Sequence, residues 1–331
     1  MTDPSLRLRL DAMLGAVAIV SPTSFRFAGG APLEVAQADE LAAAIAPVLY
    51  RFCYARVFLG EPLSETLPSI PDATFLANAS RANHSRSHWD PNWRVWALGT
   101  NGSVLVHKGE TYVDARPGRF ALPQAALRAA EIGDTVELIV SAESHDAQPG
   151  FVYVFGETVP SDYDDAELAR FYFNIEPDGL PDLVDALTAR LNRYDVPFRL
   201  KFLAEAGHYE RVDCVVLYVT RRFLAVAQSV LATSLHAFER HLRPGVPLFA
   251  KQLAPGVGAA DNPGTTESFG QSRCTLAARA IVDAWRHGAQ DVDARRTCLA
   301  ARFAELGLSL AQPHLAAGLA DCYGLPAGWG C

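Results

Sequence analysis

Five short runs, WRVWALG, SVLVHKG, TYVDA, TVELIVS and GFVYVFG, follow one another between Trp93 and Gly156 and constrain the fold more than any other feature of the chain. Each is rich in β-branched or aromatic residues, and Gly, Asn and Pro divide them, which is the pattern of antiparallel strands joined by turns. The residues ahead of them have a different texture. SLRLRLDAMLGAVAIV and QADELAAAIAPVLYRFCYARVF repeat their apolar residues every three or four positions and are expected to be helical, with Asp39 and Glu40 suited to a helix start. IPDATFLANASRANHS is expected to form a third helix. Beyond residue 165, strands (RFYFNI, FRLKFLA, CVVLYVT) mix with helices (GLPDLVDALTARLNRYD, RFLAVAQSVLATSLHAFERHL, RCTLAARAIVDAWRHG), and one or two helices close the chain. The reading is an α+β fold: a helical N-terminal region, residues 1–88, then a largely antiparallel sheet flanked by helices, residues 89–331.

Composition narrows the function classes. Of 331 residues half are hydrophobic and a fifth charged, as in a soluble globular protein with a substantial core. A net charge of −8 and the lack of a basic run speak against nucleic acid as a partner. The first apolar stretch is interrupted by charge and too short to cross a bilayer, so no membrane partner is expected and a cytoplasmic location is. Cys53, Cys214, Cys274, Cys298, Cys322 and Cys331 are scattered without close pairing, which suits reduced thiols better than disulfides or a zinc site.

Only three of the 29 basic residues are lysines: Lys108, Lys201 and Lys251. In so arginine-biased a chain, a lysine inside the apolar run FRLKFL calls for a reason. Arginine stays protonated, whereas lysine gives up its proton when burial or neighbouring positive charge lowers its pKa. Lys201 between Phe198, Leu200, Phe202 and Leu203 therefore suits a general base. It also suits an edge lysine that snorkels or pairs with a carboxylate.

Other positions point to an anion. In RFYFNI, period-2 alternation puts Arg170, Tyr172 and Asn174 on one face, opposite Phe171, Phe173 and Ile175. Arg211 and Asp213 precede CVVLYV in the same way. The loop NPGTTESFGQSR offers Ser268, Gly270 and Ser272 ahead of a helix, with Arg273 in its first turn. That arrangement fits a phosphate or an ordinary capping loop. Lys251 is expected to end a strand, VPLFAK, and to open that loop. Lys108 and His107 are adjacent, so only one could enter a site. His84 and His88 have a metal-like spacing but no third ligand, and nucleotide and hydrolase fingerprints are absent.

Taken in order, RFYFNI, VPFRLKFL, YERVDCVVLYV and PLFAKQLAPGVGAADNPGTTESFGQSRC resemble the HopA class of bacterial type III effectors and its non-secreted relatives, over roughly residues 90–290. Those relatives occur beside phosphotransferase-like proteins in pathways for modified peptides, including class V lanthipeptides and thioamide-containing peptides. The strand order is also similar, more distantly, to phosphothreonine lyases and the lyase domains of class III lanthipeptide synthetases. The resemblance implies elimination of phosphate from phosphoserine or phosphothreonine of a ribosomal precursor peptide, with a separate kinase as partner and no metal or organic cofactor. By position it makes Lys201 the base, Arg211 and Arg273 phosphate ligands, and Arg170, Lys251 and Ser268 further groups around the phosphate. The lyases carry Lys-x-His where this chain has Arg170-Phe171-Tyr172, so Tyr172 takes the acid position. Two other functions fit the same residues: a non-catalytic module that presents a phosphopeptide to the kinase, and an effector that acts on host phosphoproteins.

Overall fold

A computed structural model describes residues 4–61, 72–123, 128–161, 167–264 and 267–325. Ile70 and Pro71 of the expected third helix, Thr265 and Thr266 of the glycine-rich loop, and Cys331 lie outside these residues. Helix α1 (Pro4–Gly15) leads into a small antiparallel sheet of β1 (Val17–Ser21), β2 (Ser24–Phe27) and β3 (Leu33–Glu34). The run AVAIV was expected to continue the helix. Its β-branched residues lose rotamer freedom there, and as a strand Val17 and Ile19 alternate into the core. Helix α2 (Leu41–Leu49) carries Pro47 inside it and passes into a wider π-helical turn at Tyr50–Tyr54, where the Ala55 N–H donates to the Tyr50 carbonyl over 3.0 Å. Asp72 caps α3 (Ala73–Arg81) by accepting from the backbone of Thr74 and Phe75.

The strands expected from Trp93 onward are present. β4 (His88–Leu98), β5 (Val104–Lys108), β6 (Thr111–Ala115), β7 (Phe120–Ala121) and β8 (Thr135–Val140) form one antiparallel sheet in the order β6-β5-β4-β8-β7. It has its own core, centred on Trp93, Val106 and Val136.

The remaining strands build the seven-stranded antiparallel sheet that organises the molecule. In chain order come β9 (Glu143–Ser144), β10 (Phe151–Phe155), β11 (Leu168–Phe173), α4 (Leu180–Arg193), β12 (Phe198–Leu203), β13 (Val215–Thr220), α5 (Leu224–Phe238), β14 (Lys251–Ala254), β15 (Val257–Asp261), α6 (Phe269–Arg286) and α7 (Val292–Glu305). The sheet order is β14-β15-β11-β13-β12-β10-β9.

Alternation gives each strand two faces. Phe171, Leu217, Leu200 and Val154 share one face and pack against α4 and α5. Truncating a residue such as Phe171, fully buried there, costs about 3–5 kcal/mol. The other face is capped over β15, β11 and β13 by a second core joining α1, α2 and the π-helical turn to α6 and α7. The N-terminal segments thus share their core with the last helices of the chain.

Two expectations about strand boundaries change. Phe249 adopts a left-handed backbone (φ 75°) in a turn that Ala250 closes on Pro247, so VPLFAK is no strand and Lys251 opens β14. Within the expected glycine-rich loop, VGAAD is the fully buried strand β15; its small side chains fit beneath the helical cap.

Candidate functional site

Register brings two rows of polar side chains together on the capped face, where the cap gives out. One row runs Tyr153, Lys201, Val216, Tyr172 across β10, β12, β13 and β11; the next runs Phe155, Arg199, Tyr218, Arg170. Directly paired residues point to the same side of a sheet, so alternation within FRLKFL and RFYFNI is what delivers these cations to one surface.

Among the described residues Lys201 has no carboxylate partner. Its ammonium donates to the amide oxygen of Gln148 over 2.8 Å and lies 3.7 Å from the centre of the Phe151 ring. The Tyr153 hydroxyl donates to the same Gln148 oxygen over 2.9 Å. Burial lowers the Lys201 pKa; Asp213 opposes that shift, and Arg211 and Arg170 add to it, leaving the group at about 8 against an ordinary 10.5.

Arg211 sits beside it. Its Nε and Nη2 donate to the two oxygens of Asp213, each over 2.8 Å, and Nη2 also reaches the Tyr50 hydroxyl at 3.2 Å. Burial works against its charge, and Asp213 more than offsets this, so the guanidinium is held protonated. Its Nη1 makes no hydrogen bond to the described residues. Arg170 donates from Nη2 to Asn262 over 2.5 Å, while its buried Nε has no hydrogen-bond partner. Arg170 and Arg199 both lie against the Tyr218 ring, 5.2 and 5.8 Å from its centre. Lys201, Arg199 and Arg211 thus border one half-open surface with Arg170 buried at its floor, and Asp213 stands among them. A doubly charged oxyanion complements such a surface.

The edge of the cap is set by the π-helical turn. It directs Tyr50 to Arg211 and Asp213 and stacks it on Tyr54, ring centres 5.1 Å apart. Gly270, in the first turn of α6, makes room for this pair: a Cβ there would meet the Tyr54 ring at 2.4 Å and the Tyr50 ring at 2.7 Å. Gly270 therefore serves close packing.

Of the residues expected in the site, Lys201, Arg211 and Arg170 come together and four others do not. Tyr172 shares the face but is only 3% exposed, beneath Tyr54 and Phe269, and Val216 separates it from Lys201. Burial pushes its phenol to about 12, and the hydroxyl lies beside Tyr54 and Arg170 without a well-aligned hydrogen bond to any described residue. Lys251 pairs with Ala259 and so belongs to the opposite face, where it donates to Asp321 over 2.8 Å and to the Tyr323 carbonyl over 2.7 Å. Ser268 is the N-cap of α6 in a reciprocal capping box with Gln271. Arg273 is 2% exposed; it donates to the carbonyls of Pro313 and Leu315, each over 2.9 Å, and clamps the C-terminal segment between Phe269 and Phe303.

The secondary candidates also lie elsewhere. His107 stacks with Tyr112 beside Trp96 on the outside of the five-stranded sheet. Lys108 pairs with Asp90, His84 with Asp185, and the His88 ring with the Arg86 carbonyl. Among the described residues no group of three or more His, Cys, Asp or Glu gathers to hold a metal ion, and no helix is long and apolar enough to cross a membrane.

Sequence reading missed Arg199, Tyr153, Tyr218, Tyr50 and Gln148. Alternation within FRLKFL puts Arg199 on the side of Lys201, and Tyr153 was legible in GFVYVFG by the same rule. Tyr50 and Gln148 arrive from a distant helix end and a loop, with no local signal.

Fold and site define an α+β protein with a cationic, lysine-bearing sheet face. The HopA1 effector protein family matches residues 142–315, a little over half of the chain and the part that carries Lys201, Arg211, Arg170, Arg199 and Gln148. The chain belongs to that family. Among solved structures, an effector protein from Pseudomonas syringae pv. tomato strain DC3000 is 18% identical, with 84% of this chain and 95% of that one covered at a TM-score of 0.47. Another, from Pseudomonas syringae pv. syringae strain 61, is 16% identical, covering 76% and 86% at a TM-score of 0.44. No curated protein matches the sequence.

Proposed function

We propose that this protein is a lyase that eliminates phosphate from phosphoserine or phosphothreonine of a ribosomally made precursor peptide, following a separate phosphotransferase-like kinase. One observation carries the reading: Lys201, half-buried among cations, hydrogen-bonds a neutral amide and has its pKa drawn down to about 8. A structural lysine gains by pairing with a carboxylate; a base needs the reverse.

In the reaction the Lys201 amine takes the α-proton of the phosphorylated residue. The C–H electron pair forms the Cα–Cβ double bond, the Cβ–O bond breaks, and phosphate departs to leave dehydroalanine or dehydrobutyrine. Arg211, through its uncommitted Nη1, and Arg170 hold the phosphate and neutralise its growing charge. Tyr172 is too deeply buried to reach a substrate. Tyr153, half-buried and hung on the same Gln148 oxygen as Lys201, takes its place as proton donor to the leaving oxygen. No step calls for a metal or an organic cofactor.

Family membership lends weight to a second reading, an effector directed at phosphoproteins, and a phosphopeptide-binding module would use the same cations. A binding module gives no reason for a lysine that hydrogen-bonds a neutral amide and no described carboxylate. The test is mass spectrometry of phosphoserine peptides incubated with the purified protein. A lyase removes phosphoric acid and leaves a residue that adds thiols. Binding without mass loss, with or without the kinase, would leave the module reading standing.

A further inference from the structure

A groove of about 360 Å³ opens between the five-stranded sheet and the ends of β10 and β12, where Phe155 and Arg199 of the Lys201 face meet Phe198 of the other. Phe155 and Phe198 form its inner wall, Leu138 and Val159 its outer wall, and Arg116, Arg119 and Arg199 stand around it with Asp114. We propose that this groove holds the flank of the peptide substrate: a bulky apolar side chain two to four residues from the reacting one, with an acidic residue beside it. The inference rests on the reading of the site as a peptide phosphate lyase.

Three observations support it. The first is register. The pair Phe155–Arg199 lies next to the pair Tyr153–Lys201 on the same face of the same two strands. Successive same-face residues on a strand are about 6.5–7 Å apart, the advance of two residues of extended peptide. A substrate lying along β12 with its reacting residue at Lys201 therefore brings its second and fourth neighbours to Arg199 and the groove. The second is size and chemistry. The volume is at the small end for ligand pockets, enough for one large side chain and too little for a folded partner. The third is charge. Arg119 is tied to the wall through Ser141 and the Ile139 carbonyl, whereas Arg116 is exposed and has no ion-pair partner among the described residues. Among the described residues that line the groove three are arginines and one is an aspartate, and the exposed Arg116 suits an acidic neighbour. Leu138 of the outer wall, with Arg116 and Arg119, precedes residue 142, where the family match begins, while Val159, the inner wall, the base and the phosphate ligands follow it. Part of the selectivity for the peptide thus comes from a segment outside the part that carries the chemistry.

The test uses full-length protein carrying Lys201→Arg, so that peptide is not consumed, and fluorescein-labelled phosphoserine peptides read by anisotropy. Leu is scanned through positions −4 to +4 around the phosphoserine, with Glu or Lys beside it. One position two to four residues away should bind at least tenfold tighter with Leu than with Ala. Thr158→Trp, which fills the groove, should abolish that preference, and Arg116→Glu should invert the roughly threefold preference for Glu over Lys. Circular dichroism checks that Thr158→Trp folds; the peptide series and Arg116→Glu decide the matter without it. Equal affinity at every scanned position, or discrimination that survives both variants, overturns the groove. Elimination by the wild type is scored separately: its absence would sink the lyase reading while leaving the binding pattern to stand or fall alone.

Discussion

Lys201 and Lys251 stand on one seven-stranded sheet, on opposite faces and with three strands between them, and their surroundings are opposite in kind. Lys251 has an aspartate and a backbone carbonyl for its ammonium, and it fastens the C-terminal segment to an edge strand. Lys201 has a neutral amide, two aromatic rings and nearby arginines. The first arrangement stabilises a charge; the second makes the charge easy to lose. The arginines divide in the same way. Arg273 spends its donors on carbonyls in a closed core, while Arg211 is braced by Asp213 with one nitrogen left over on an open surface. Position along the chain does not distinguish a structural cation from a chemical one; the partner does.

The sharpest way to break this comparison is to exchange each lysine for arginine. Lys201→Arg should lower elimination by at least about 10³-fold, within the range for a lost general base, and Lys251→Arg should leave it within about twofold. Equal losses would mean that both lysines act through stability. The phenols follow. Tyr153→Phe should slow elimination by about 10²-fold, the low end for a lost proton donor, whereas Tyr172→Phe deletes a buried hydroxyl out of reach of substrate and should change turnover less than twofold. If Tyr172→Phe were the slower variant, the acid would be reached through a rearranged cap.

Next come the arginines. Arg211→Ala removes a charged contact worth about 1.5–3 kcal/mol, so phosphopeptide binding should fall roughly 10- to 150-fold with little change for the unphosphorylated peptide. Arg273→Ala leaves two buried carbonyls unpaired and should destabilise the fold by on the order of 3 kcal/mol without selectivity for phosphate. The smallest effect is on stability. The folded chain releases the Lys201 proton near pH 8 and the unfolded chain near 10.5. Between those values the unfolded state binds more protons, so stability rises with pH across that window, and below it the full penalty of burying the charge remains. Lys201→Met should therefore raise Tm by about 2–5 °C at pH 7, a gain that shrinks toward pH 10.

What could be read from the sequence follows the range of the interactions. Alternation is local, so the strands, the polar face of RFYFNI and the placement of Lys201 were legible, and Arg199 was available by the same rule. The misplaced residues depend on events elsewhere in the chain. Lys251 changes face because Phe249 turns left-handed just before it. Arg273 is claimed by carbonyls some forty residues onward. Tyr172 is covered by a tyrosine pair from a π-helical turn over a hundred residues earlier, admitted by Gly270. Nothing in a local window reports these contacts.

The central claim, that Lys201 is held ready to lose its proton, can be measured directly because the chain has only three lysines. Labelling them with ¹³C gives a spectrum of three side-chain Cε signals, and Lys201→Arg identifies one of them. Titration from pH 6 to 11 should show that signal moving with a midpoint near 8. A midpoint for that signal at the ordinary lysine value of about 10.4 would contradict the account.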